Sequence, residues 1–87
     1  MLIRSQDKLE LIELNNVRIK INKYMTYGEN SHSYCNVECN LGVLGKYSTK
    51  EKAIKVLDMI EEAYLDANDD YVHNIVFHMP EDSEVDV

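Results

Sequence analysis

His32, Cys35 and Cys39 are the side chains best suited to chemistry, three ligand- or nucleophile-type groups close together. A structural zinc site needs four such ligands, typically two close pairs held by turns. The cysteines instead sit in Tyr34-Cys35-Asn36-Val37-Glu38-Cys39-Asn40-Leu41, whose strict alternation predicts a strand. Four residues along a strand span roughly 13 Å, and a disulfide needs Cα atoms within about 7 Å. The two thiols are therefore expected to be reduced, apart from each other and in a core. No second pair completes a metal site, so neither metal nor cofactor is expected. A Cys–His nucleophile pair would need a third orienting group and an electropositive pocket, and Glu38 beside Cys39 opposes that field. Glu61 and Glu62 are adjacent on a predicted helix and cannot face each other as an acid–base pair. The chain also lacks a Gly-rich phosphate loop and a nucleophile elbow. The expectation is a protein that is not an enzyme.

Two other groups suit binding. Tyr24, Tyr27 and Tyr34, with His32 among them, alternate with Gly28, Asn30, Ser31 and Ser33. Tyrosines supply rigid contact area and small polar residues supply adaptable hydrogen bonds, the composition of a binding loop; a plain exposed hairpin has the same composition. The second group is acidic. All nine basic residues lie between Arg4 and Lys55, and the last 32 residues hold ten acids and no base, within a net charge of −7. Asp58, Glu61, Glu62 and Asp66 fall on the polar side of the predicted helix. Such a row could imitate a phosphate backbone and dock into the basic groove of a nucleic-acid-binding protein. Solubility is the more ordinary explanation. Direct nucleic-acid binding by Arg18, Lys20 and Lys23 is not expected at a pI near 4.8; charges that blunt a strand edge explain them better.

These groups need elements to position them. Eighty-seven residues make one domain with one core. Leu2 to Arg4 predicts a short strand, Leu9 to Leu14 a strand with a bulge, and Val17 to Asn22 an alternating half-buried strand after an Asn15-Asn16 turn. Residues 24 to 34 form a loop or loose hairpin end. The cysteine strand and a strand from Gly42 to Tyr47 complete a meander, turning near Asn40 and Gly42. Ser48-Thr49-Lys50-Glu51 reads as a capping box. Behind it Ala53, Leu57, Ile60, Tyr64 and Ala67, widened by Ile54, Val56 and Ala63, form the apolar face of a helix over about 49–67. Tyr71 to Met79 predicts a last strand, which Pro80 stops. The fold class is α+β: an antiparallel meander sheet of about four to six strands in one layer, packed against one amphipathic helix in the other. Residues 1–80 form that domain, and 81–87 form an acidic tail expected to be disordered. Met1-Leu2-Ile3-Arg4 turns polar too early for a signal peptide, and no apolar run reaches the roughly 18–20 residues of a membrane span. The expected location is the cytoplasm, with no membrane contact.

Ile3-Arg4-Ser5-Gln6-Asp7-Lys8, Leu44 to Ala53 with Val56-Leu57-Asp58-Met59-Ile60, and Val76-Phe77-His78-Met79-Pro80-Glu81-Asp82 together resemble a group of small uncharacterised phage, prophage and mobile-element proteins of Firmicutes. The likeness covers about half of the chain and leaves residues 22 to 42 aside. It implies a setting, a mobile-element accessory protein in a bacterial host cytoplasm, and carries over no functional residue. The resulting expectation is a module that binds a host or element-encoded protein, with a homodimer as its expected form. Two alternatives stand beside it: an anti-defence inhibitor of anti-CRISPR type acting as an acidic nucleic-acid mimic, and an oligomer that sequesters a small ligand at Tyr24 to Tyr34.

Overall fold

The computed structural model describes residues 1–69 and 76–87. Strand alternation sets its main layer. On β4 (Ser33–Cys39), Cys35, Val37 and Cys39 are buried, while Tyr34, Asn36 and Glu38 point to the opposite face. β4 lies between β3 (Ile19–Met25) and β5 (Gly42–Tyr47), antiparallel to both. The turn into β5 is the two residues Asn40 and Leu41, since Cys39 pairs with Gly42. Gly42 has a φ of 145°, which a side chain would strain.

The helix α1 (Lys50–Asp69) covers the buried face of this sheet and packs against β3, β4 and β5. Ala53, Val56 and Ile60 recur at helical spacing and are buried, with Leu57 and Ala63 half-buried beside them. Each large apolar side chain buried this way contributes about 1.5–3 kcal/mol. Tyr64 and Ile54, expected within the stripe, are exposed. The side chain of Ala67 lies outside the described set. The helix cap shifts by one residue from the expected box. Thr49 Oγ1 accepts the Lys52 N–H at 3.1 Å, so Thr49 is the cap and Ser48 is free for another partner.

The remaining strands do not join the meander. β1 (Leu2–Arg4), β2 (Leu11–Glu13) and β6 (Val76–His78) form a second three-stranded sheet in the order β2-β1-β6. β1 is antiparallel to β2 but parallel to β6. The α+β class with a meander and one helix stands, but as two sheets rather than one. The break has a local cause. Buried Ser5 donates its N–H to Glu10 O and accepts the Glu10 N–H on its hydroxyl, which closes a tight loop directly after β1. Leu9 lies in that loop, 82% exposed, so the expected bulged strand over 9–14 reduces to three unbulged residues. The expected last strand is seen from Val76; its earlier residues, 71–75, lie outside the described set.

Gln6 bridges the sheets. Its N–H donates to Leu44 O (2.8 Å), its Oε1 accepts the Lys46 N–H (2.9 Å), and its Nε2 donates to Lys46 O (3.1 Å). A side-chain amide thus occupies the outer edge of β5 as a further strand would. The segment expected as a disordered tail is likewise part of the body. Asp82–Glu84 form one 3₁₀ turn, and Val85 is 4% exposed in the same core as Ile3, Ile12 and Met79.

Candidate functional site

The strand registers assemble a polar-aromatic platform on the outer face of the β3–β4–β5 sheet, away from the helix. Tyr24 stands opposite Tyr34, Asn22 opposite Asn36, and Lys20 opposite Glu38; Lys46 of β5 stands opposite Asn36. Their neighbours along the strands, Ile21 and Val37, point the other way into the core. The Tyr24 and Tyr34 rings stack with centroids 5.6 Å apart and planes 22° apart. Lys46 Nζ lies 4.2 Å from the centroid of the Tyr34 ring, a cation–π contact.

Glu38 fastens this arrangement. Its carboxylate accepts the Tyr24 hydroxyl at 2.6 Å, Asn22 Nδ2 at 2.7 Å and Asn36 Nδ2 at 3.3 Å. The Tyr24 hydroxyl, then Asn22, hold the Glu38 carboxyl below its ordinary pKa. The same bond raises the Tyr24 phenol above its ordinary value. Charge-assisted bonds to an ionised carboxylate are the strong class, so Tyr24 is held in place against Tyr34 before any partner arrives. Asn36 Oδ1 is buried without a donor among the described residues.

The sequence-predicted residues divide. Tyr24 and Tyr34 are brought together, and His32 sits beside them, its ring 6.4 Å from that of Tyr34. His32 is placed by the hairpin end: Thr26 N–H donates to His32 O, and His32 N–H donates to Thr26 Oγ1. Tyr27 is 93% exposed at the tip and outside the stack. His32, Cys35 and Cys39 are not gathered: both thiols are free and buried in the core face, while His32 is exposed. Among the described residues, no three His, Cys, Asp or Glu side chains converge on a point that could hold a metal ion.

Asp58, Glu61, Glu62 and Asp66 are all exposed on the helix, on the opposite layer from the tyrosines. Glu61 also borders an open groove of about 390 Å³ with Leu14, Val17, Leu57 and Tyr64. The tail acids do not join them. Asp82 accepts the backbone N–H and hydroxyl of Ser48 and meets Lys52 Nζ at 3.4 Å, while the Glu84 carboxylate accepts the Glu81 N–H.

Sequence reasoning missed Asn22, Asn36, Glu38 and Lys46. A signal was present for two of them: Asn36 and Glu38 alternate with the cysteines, so they share a face with Tyr34. No helix among the described residues is long and apolar enough to cross a membrane. No known family pattern, curated protein or solved structure matches the chain.

Proposed function

We propose that the chain is a non-enzymatic binding module that docks a protein partner on the outer face of the β3–β4–β5 sheet. One observation carries this reading: the Tyr24–Tyr34 stack is fixed by Glu38 on one side and covered by Lys46 on the other. Rigid aromatic area loses little side-chain entropy on contact, which is why tyrosines dominate many recognition surfaces. Lys20 and Lys46 at the rim suit a partner segment that carries carboxylates beside an apolar or aromatic side chain. The resemblance to small phage and mobile-element proteins supplies the setting, a host or element-encoded partner in a bacterial cell. The test is comparative affinity capture. Proteins retained by the wild type should be lost with Tyr34→Ala and Tyr24→Ala variants of unchanged circular dichroism. A retained set identical across all three proteins refutes the reading.

A second reading, the acidic nucleic-acid mimic of an anti-defence inhibitor, has its own support. Asp58, Glu61, Glu62 and Asp66 are exposed, and none forms an ion pair among the described residues. Asp66 lies in the last turn of the helix, which has no base, where negative charge opposes the dipole. The four span about 12 Å of helix axis, a spacing close to the one charge per about 3.4 Å of a single nucleic-acid strand. Reversing Glu61, Glu62 and Asp66 to Lys should then abolish partner binding, and wild-type affinity should fall steeply with salt. Binding unchanged in that variant removes this reading and leaves the platform reading intact.

A further inference from the structure

We infer that β3 pairs antiparallel with β3 of a second copy of this chain, about a two-fold axis through Asn22. β3 is the outermost strand of its sheet, and among the described residues nothing pairs with its free side. The hairpin fixes which groups face that side. Thr26 lies opposite His32 and donates its N–H to His32 O, so the even-numbered residues of β3 hold the hydrogen-bonded positions toward β4. The N–H and C=O groups of Ile19, Ile21, Lys23 and Met25 therefore point outward. An unpaired row of this length is a template for another strand.

The register follows from those outward groups and from charge. Two copies of β3 can exchange hydrogen bonds only when odd residues meet odd residues. Centring on Asn22 satisfies this and overlaps all seven residues: Ile19 meets Met25 of the other copy, and Ile21 meets Lys23. Asn22 then faces its own copy at a non-hydrogen-bonded position. Shifting the centre to Lys23 places two lysines directly opposite each other, which is unfavourable. In the Asn22-centred register, Met25, 57% exposed in the monomer, gains an apolar neighbour. Lys20 lands opposite Tyr24 of the other copy on the outer face. The stack would then read Lys46, Tyr34, Tyr24, Lys20 of the second copy, an aromatic pair between two cations. The lysines that would repel an arbitrary strand are thus accommodated by this one.

The pairing is independent of the platform's partner, because it is read by mass alone. Sedimentation of the wild type from low micromolar to millimolar protein should show the mass rising toward twice 10.1 kDa. Lys23→Pro removes one outward N–H and no bond to β4, a substitution that edge strands tolerate, and should hold the protein at monomer mass. Should that variant fail to fold, cysteine trapping decides. Across a non-hydrogen-bonded pair Cα atoms lie about 4.5 Å apart, inside the disulfide range of about 4.4–6.8 Å. Asn22→Cys should form a disulfide-linked dimer under mild oxidation far faster than Lys20→Cys, whose two copies would sit roughly 13 Å apart. A wild type monomeric at every concentration, a folded Lys23→Pro that dimerises as the wild type does, or equal trapping at positions 22 and 20 overturns the inference.

Discussion

Asp82 accepts the backbone N–H of Ser48 at 2.8 Å and its hydroxyl at 3.0 Å, joining the end of the chain to the start of the helix. Lys52 reaches the same residue, donating to Asp82 O at 2.9 Å. Asp82→Ala should lower stability by about 1–2 kcal/mol, the scale of a lost helix-entry cap. The carboxylate is 40% exposed, so the salt bridge to Lys52 adds little and the Ser48 bonds dominate. Thermal denaturation of the two proteins checks this, as does a chain cut after Pro80, which also loses buried Val85.

Acid should erase that difference. The Ser48 backbone N–H, aided by the Ser48 hydroxyl and Lys52, holds the Asp82 carboxyl below its ordinary pKa. A depressed folded pKa gives stability that is fully present above the unfolded value and is lost as pH falls through the folded one. Asp7 and Glu38 are shifted in the same direction, by Ser5 and by Tyr24 respectively. Wild type should therefore lose stability below about pH 4, and the gap to Asp82→Ala should close there. Chemical denaturation at stepped pH measures it; a constant gap would contradict the assignment.

Gly45→Ala should destabilise more than its size suggests. A Cβ at Gly45 would lie 2.8 Å from the Tyr47 hydroxyl and 2.9 Å from its ring. Tyr47 is 1% exposed and donates to Pro80 O at 2.8 Å, so the ring has nowhere to move. Overpacking of this kind costs about 1–3 kcal/mol. Tyr47→Phe keeps the packing and should cost only about 1 kcal/mol, because Gln6 Nε2 still donates to Pro80 O. Denaturant midpoints should rank wild type, Tyr47→Phe, Gly45→Ala.

Glu38→Gln should release Tyr24. Tyr24 is raised above the ordinary phenol pKa first by its bond to Glu38. Losing the carboxylate charge should bring the Tyr24 titration back down toward the usual value, followed by NMR of the ring. No such change is expected at Tyr47, which burial raises and which lies on the opposite face.

Asp66→Lys should stabilise the protein by about 0.5 kcal/mol. It places a positive charge near a helix end that carries no base, four residues after Glu62. A higher melting temperature combined with lost partner binding would mark a surface kept acidic for function. Higher stability with binding retained would leave solubility as its role.

The helix, the meander and the buried thiols were legible because each rests on local periodicity, three to four residues for Ala53, Val56 and Ile60, two for Cys35, Val37 and Cys39. The parallel pairing of β1 with β6 was not, because chain ends carry no local mark of meeting. The split into two sheets turns on Ser5, one buried hydroxyl that closes a loop. The tail looked disordered because its acids dominate its composition, while Val85 and Asp82 each act through one non-local contact. At the platform, the three tyrosines looked equivalent. Hairpin register separates them: Tyr24 and Tyr34 share a face and a rung, and Tyr27 lies past the last rung.

Gln6 occupies the outward groups of β5 at Leu44 and Lys46 with its own backbone and side-chain amide. Its consequence is a terminator. A sheet with two open edges can recruit copies on both sides and grow into a fibre. This sheet is stoppered on one side, so once two copies join through β3 both ends of the six-stranded ribbon are plugged by glutamine. Growth halts at two; Gln6→Ala would uncover the Lys46 N–H and C=O while the residue-6 backbone still covers Leu44 O.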